Sequence, residues 1–237
     1  MTVRPGRRES GPAFTHVVFD LDGTLVDSAA DLVAATNNVL ASFALPEVDE
    51  ATLRTYVGDG AHTLVARALG PAHATHVEEG VRRFLVYYRQ HLLDATRPYP
   101  GIEALLAGLH ARAVRLSVVT NKAEALSRPI LEGLGLMRWI DTLVGGDSLP
   151  TRKPDPAGLE RVLARAGTPR AEALMVGDSP IDRDTARAAA VAFCGVAWGF
   201  ASGLLTDAGS PSPLVADAAA LGALVEGGVV GVGARSP

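Results

Sequence analysis

The chain has 237 residues, 48% of them hydrophobic, with 22 Lys and Arg against 26 Asp and Glu for a net charge of −4. That length can bury a large core and carry a second part beside the first, while the acidic balance, with no basic run beyond Arg4 to Arg8, argues against nucleic acid as a partner. No stretch approaches the roughly twenty apolar residues of a membrane span, Met1 to Ala13 is polar and Arg-rich without an apolar leader segment, and the single cysteine, Cys194, permits no intrachain disulfide; a cytoplasmic protein in a reducing compartment is expected.

Thr15 to Phe19 is an apolar run that predicts a buried strand, and Asp20 and Asp22 follow it directly, with Gly23 permitting a tight turn and Thr24 able to tie it down. Two carboxylates so close repel each other, and either a cation between them or a shared proton relieves the repulsion. Both remedies suit phosphoryl transfer, although Asp-x-Asp-Gly also reads as an acidic turn. From Ser28 to Leu93 the pattern is helical, with apolar positions such as Leu32, Val39 and Leu40, then Val77, Phe84, Leu85 and Tyr88. Within it, Gly58 and Gly60 flank Asp59; they allow backbone to approach a small ligand, or serve a plain turn between helices.

Pro98, Pro100 and Gly101 mark a change of regime. Helical stretches then alternate with short apolar strands at Val114 to Val119, Thr142 to Gly145, Ala173 to Val176 and Ala192 to Trp198, the pattern of a doubly wound parallel α/β sheet, which binds ligands at the carboxyl ends of its strands. The first of these strands runs into Thr120, Asn121 and Lys122, a hydroxyl, an amide and an amine able to donate to phosphate oxygens, or else an ordinary helix cap. Further on, Lys153 precedes Pro154 and Pro156 and can act as a point charge on a phosphate. Asp178 and Asp182 follow the strand Leu174 to Gly177, with Asp178 placed to ligate a metal.

Phe19 to Ser28, Leu116 to Lys122, Gly145 to Pro156 and Leu174 to Asp182, taken in that order, resemble the four motifs of the haloacid dehalogenase-like superfamily in its phosphatase branch, and Gly145 to Pro156 and Arg54 to Leu69 are similar to segments of phosphoglycolate phosphatases. The resemblance implies a Rossmann-like α/β core over residues 14–27 and 98–225, a small inserted α-helical cap over 28–97, a disordered extension over 1–13 and a flexible tail over 226–237. It implies a Mg²⁺-dependent phosphomonoester hydrolase, with 2-phosphoglycolate as the expected small anionic substrate, acting as a monomer or homodimer. A β-phosphoglucomutase-type isomerase, or a phosphatase for another sugar phosphate or a nucleotide, is the alternative. In that reading Asp20 is the nucleophile and Asp22 the acid and base, kept neutral at first by neighbouring negative charge. Thr120, Asn121, Lys153, Gly58 and Gly60 hold substrate and phosphate; Asp20, Asp178 and the Asp22 carbonyl hold Mg²⁺, with Asp182 behind them. One departure from the family is Ala190, where glycine is usual; it touches the end of a helix and not the chemistry.

Overall fold

The computed structural model describes residues 13–206 and 212–227, so the expected N-terminal extension, Ala13 apart, and most of the expected tail lie outside the described residues. In chain order the elements are β1 (His16–Phe19), β2 (Val26–Asp27), α1 (Ala29–Ser42), α2 (Glu50–Arg54), α3 (Ala61–Leu69), α4 (Val77–Gln90), β3 (Arg97–Pro98), α5 (Ile102–Ala111), β4 (Arg115–Val119), α6 (Glu124–Gly133), β5 (Thr142–Val144), α7 (Ala157–Ala166), β6 (Ala173–Gly177), α8 (Pro180–Ala188), β7 (Ala192–Val196), β8 (Leu214–Val215) and α9 (Ala218–Val225).

Among the described residues, six strands form a parallel sheet in the order β5-β4-β1-β6-β7-β8. The alternation along β1 sends Val17 and Phe19 to one face and Val18 to the other, and all three are fully buried because helices cover both faces. Val18 packs with Leu159 and Val162 of α7 and Ala186 of α8, while Val17 and Phe19 join the larger core that extends into α1–α4. Phe19 lies opposite Val118 of β4 and Val176 of β6. One or two residues beyond these three partners the strands end on the same side of the sheet, so Asp20, Thr120 and Asp178 reach a common crevice where the strand order reverses about β1.

The helical stretch between β1 and β4 is a bundle of α1–α4, with α4 packed on both α1 and α3. Gly80 of α4 permits the α3 approach: a β-carbon there would stand 2.9 Å from Val65 Cγ1 and 3.0 Å from Leu69 Cδ1. The chain enters and leaves this bundle side by side, because β2 and β3 pair antiparallel, Val26 with Pro98 and Asp27 with Arg97. Strands of two residues carry no periodicity, and nothing in the sequence pattern announces them. The buried Asp31 carboxylate fastens the same junction from within, accepting hydrogen bonds from Ala95 N (2.9 Å), Thr96 N (2.8 Å) and Thr96 Oγ1 (2.6 Å).

Candidate active site

The loop after β1 places Asp20 and Asp22 apart from each other. Asp20 is tied down by its own N–H, which donates to Val176 O at 2.9 Å, and its Oδ1 accepts from Lys153 Nζ at 2.7 Å. Gly23, at φ +84°, makes the turn that brings the chain against Asp178, and a side chain there would collide with the Asp178 carboxylate. Asp178 Oδ2 accepts from Ala201 N at 3.1 Å. Asp182 sits one helical turn on, fully buried: its Oδ1 accepts from Lys153 Nζ at 2.6 Å, and its Oδ2 closes a capping box with Ser179, whose hydroxyl donates at 2.6 Å. One oxygen from each of Asp20, Asp178 and Asp182 lies within 4.8 Å of the others.

Burial chiefly, then the charge of Asp182, raises Asp178 to about 7. Burial likewise lifts Asp20, to about 6, although the Lys153 ammonium opposes it. Burial by itself would depress Lys153, yet Asp182 and Asp20 more than offset it and hold the amine charged. Counting Asp22 and Lys122 but not the exposed Arg152, the crevice gathers four carboxylates and two ammonium groups, an excess of two negative charges when all are ionised. Oxygen ligands of this number and sign fit a hard divalent cation, which would offset that excess. Asp20 and Asp178 can supply carboxylate oxygens to it, and Asp182 is already engaged by Lys153 and Ser179.

The Asp22 carboxylate is not part of this cluster. It accepts from Ser28 Oγ at 2.6 Å and from Lys122 Nζ at 2.9 and 3.0 Å, and Lys122 Nζ also donates to the hydroxyl of Tyr88 at 2.7 Å. The expectation that neighbouring negative charge keeps Asp22 neutral is therefore corrected: the nearest charge is the Lys122 ammonium. Sequence reasoning pointed Lys122 at the phosphate and read Tyr88 as core. The signal available was the phenol itself, since a fully buried Tyr needs a partner for its hydroxyl.

Thr120 and Asn121 line the same crevice. Neither caps α6, whose first N–H groups turn elsewhere: Glu124 N donates to Asp147 Oδ1 at 2.7 Å. Thr120 Oγ1 accepts from Lys122 N at 3.2 Å, leaving its own proton to give. Asn121 departs from the expected direct role on phosphate, because its amide nitrogen donates to Gly58 O at 2.9 Å and to Lys153 O at 3.0 Å. Both amide hydrogens are thereby spent joining the α1–α4 bundle to the Lys153 loop. Gly58 and Gly60 do come to the crevice, both at positive φ (+122° and +87°), and a β-carbon on Gly60 would stand 3.2 Å from Asn121 O and 3.3 Å from Arg152 Nη1. A cavity of about 220 Å³ lies between them and the β1 loop.

Residues 17–196 match the model of the haloacid dehalogenase-like hydrolase family. The chain belongs to that family. Among haloacid dehalogenase-like relatives, it is 46% identical over 192 residues to the phosphoglycolate phosphatase of Rhodospirillum rubrum, which covers 78% of this chain and 80% of the relative. It is 42% identical over 190 residues to the protein of the same name from Chromobacterium violaceum, covering 78% and 86% respectively. The crystal structure of a predicted phosphoglycolate phosphatase from Haemophilus somnus superposes with a TM-score of 0.75 at 32% identity, over 82% of this chain and 99% of that one. Among the described residues no helix is long and apolar enough to cross a membrane.

Proposed function

We propose that this chain is a phosphomonoester hydrolase that works through a phosphorylated Asp20, requires Mg²⁺ and acts on 2-phosphoglycolate. The observation that carries the reading is the Lys153 ammonium held between Asp20 and Asp182, beside Asp178 and across the crevice from the Asp22–Lys122 pair. The names of the relatives favour the substrate.

In this reading a carboxylate oxygen of Asp20 attacks phosphorus and the bond to the alkoxide breaks in line. Lys153 orients Asp20 and offsets charge on the transferring group, while the Thr120 hydroxyl donates to a phosphate oxygen. Asp22, which in this reading takes up a proton as the anionic substrate enters and competes for Lys122, gives that proton to the departing alkoxide. Water then adds to phosphorus and gives its proton to Asp22, the Asp20–phosphorus bond breaks, and inorganic phosphate leaves. The pairing with Lys122 suits Asp22 to the second step, where it accepts. Bound Mg²⁺ would supply electrostatic stabilisation of the phosphate oxygens. Residues 28–97 act as a cap that excludes bulk water, with Asn121 as the group that positions it over Lys153.

The test is hydrolysis of a panel of phosphate monoesters with Mg²⁺, comparing the parent with Asp20→Asn. The parent is expected to prefer 2-phosphoglycolate, and the variant to fold normally while losing at least about a thousandfold in kcat, since an amide cannot form the acyl phosphate. Turnover within tenfold of the parent would remove Asp20 from the role of nucleophile.

A further inference from the structure

A phosphomonoester of a hydroxy acid presents two anionic ends, and the groups above account for one. The cavity wall opposite the β1 loop is apolar, built from Leu32, Leu64, Phe84 and Leu85. Burying a carboxylate against such a wall without a partner is strongly unfavourable, so a site that accepts it needs a cation. Of the cations in the crevice, Lys153 is engaged by Asp20 and Asp182, and Lys122 by Asp22 and Tyr88. Arg152 remains. It lines the cavity, its Nη1 lies against the Gly60 backbone at the start of α3, and among the described residues it makes no ion pair.

We propose that Arg152 is a specificity-determining residue that reads the carboxylate of an acidic leaving group. This rests on the phosphomonoesterase reading given above. A guanidinium presents two parallel N–H donors that match a carboxylate, which a hydroxyl or a neutral sugar cannot exploit. The position explains the close approach at Gly60: any side chain there would push into Arg152 Nη1 and Asn121 O together. Arg152 is itself solvent-exposed at the mouth, so replacing it leaves the core intact.

The experiment compares the parent with Arg152→Gln and Arg152→Lys on two esters of the same two-carbon length, 2-phosphoglycolate and 2-hydroxyethyl phosphate, in which a hydroxymethyl group replaces the carboxylate. In Arg152→Gln the specificity constant for 2-phosphoglycolate is expected to fall roughly ten- to a hundredfold more than that for 2-hydroxyethyl phosphate, carried mainly by KM, with Arg152→Lys recovering part of the difference. Equal losses on both esters would mean that Arg152 serves the phosphate or the fold, and no loss on either that it serves neither; both outcomes overturn the assignment while leaving the hydrolase reading standing. A parent that treats the two esters alike overturns the substrate reading and the role of Arg152 with it.

Discussion

His16 stands in a fully buried position of β1 with a hydroxyl at each nitrogen, Ser117 Oγ at 2.9 Å from Nε2 and Thr168 Oγ1 at 3.2 Å from Nδ1. Burial lowers it from 6.5 to about 4, with the Asp141 carboxylate opposing only in part. The unfolded chain therefore takes up a proton on this ring first as the pH falls. Its contribution to stability is whole above pH 6.5 and is lost as the pH drops from 6.5 towards 4, by roughly 3 kcal/mol at most. His16→Gln should keep one of the two hydrogen bonds and show a shallower fall. The check is unfolding free energy by urea titration for parent and variant across that interval; superimposable pH slopes would place the proton elsewhere. At this scale the strand was legible and the role of its first residue was not, because Ser117 and Thr168 lie more than a hundred residues away.

Helix ends carry a second lesson. Ala44, Ala113 and Ala190 follow α1, α5 and α8 with φ of +53°, +59° and +54°, the left-handed region that favours glycine. In each case the next residue donates back to the helix, Leu45 N to Leu40 O, Val114 N to Leu109 O and Val191 N to Ala186 O, the backbone pattern that glycine usually closes. A β-carbon in this conformation costs about 1–2 kcal/mol, against roughly 0.5–1 kcal/mol for the extra freedom of glycine in the unfolded chain. Ala190→Gly alone should then gain about 0.5–1 kcal/mol, and all three together about 2 kcal/mol, since the sites are far apart and add. Calorimetry decides this, with a rise in Tm of a few degrees expected for the triple variant and an unchanged or lower Tm counting against it. Only Ala190 was visible beforehand, through its departure from a familiar motif. The core motifs were legible for a local reason: each gathers its acids, hydroxyls or amines within a few residues of a strand end. What joins one motif to another, Lys122 to Asp22 and Tyr88 or Asn121 to Gly58, depends on how the sheet orders its strands and has no local trace.

For the whole molecule, the crowded carboxylates set the response to ions. Asp20 at about 6 and Asp178 at about 7, both raised from 3.8, mean that the folded protein without a cation binds protons more tightly than the unfolded chain; this contribution is fullest below pH 3.8 and is lost as the pH rises through 6 to 7. A divalent cation competes with those protons. Mg²⁺ should thus raise Tm by several degrees near about pH 8 and by little near about pH 5, and Asp178→Asn should shrink the difference. Equal shifts at both pH values, read by thermal unfolding with chelator as the reference, would detach the ion from these carboxylates.

The short pairing of β2 with β3 reaches further than its four residues suggest. Parallel strands β1 and β4 are neighbours in the sheet yet stand nearly a hundred positions apart along the chain, and a connection of that span would ordinarily carry the entropy of a long loop. Because Asp27 and Arg97 are clasped together, everything from 28 to 96 hangs from a single stem. Seen from the sheet, the connection shortens to an ordinary one-helix crossover through α5, and the suspended bundle is free to differ in length and lining without altering the register of the strands beneath it.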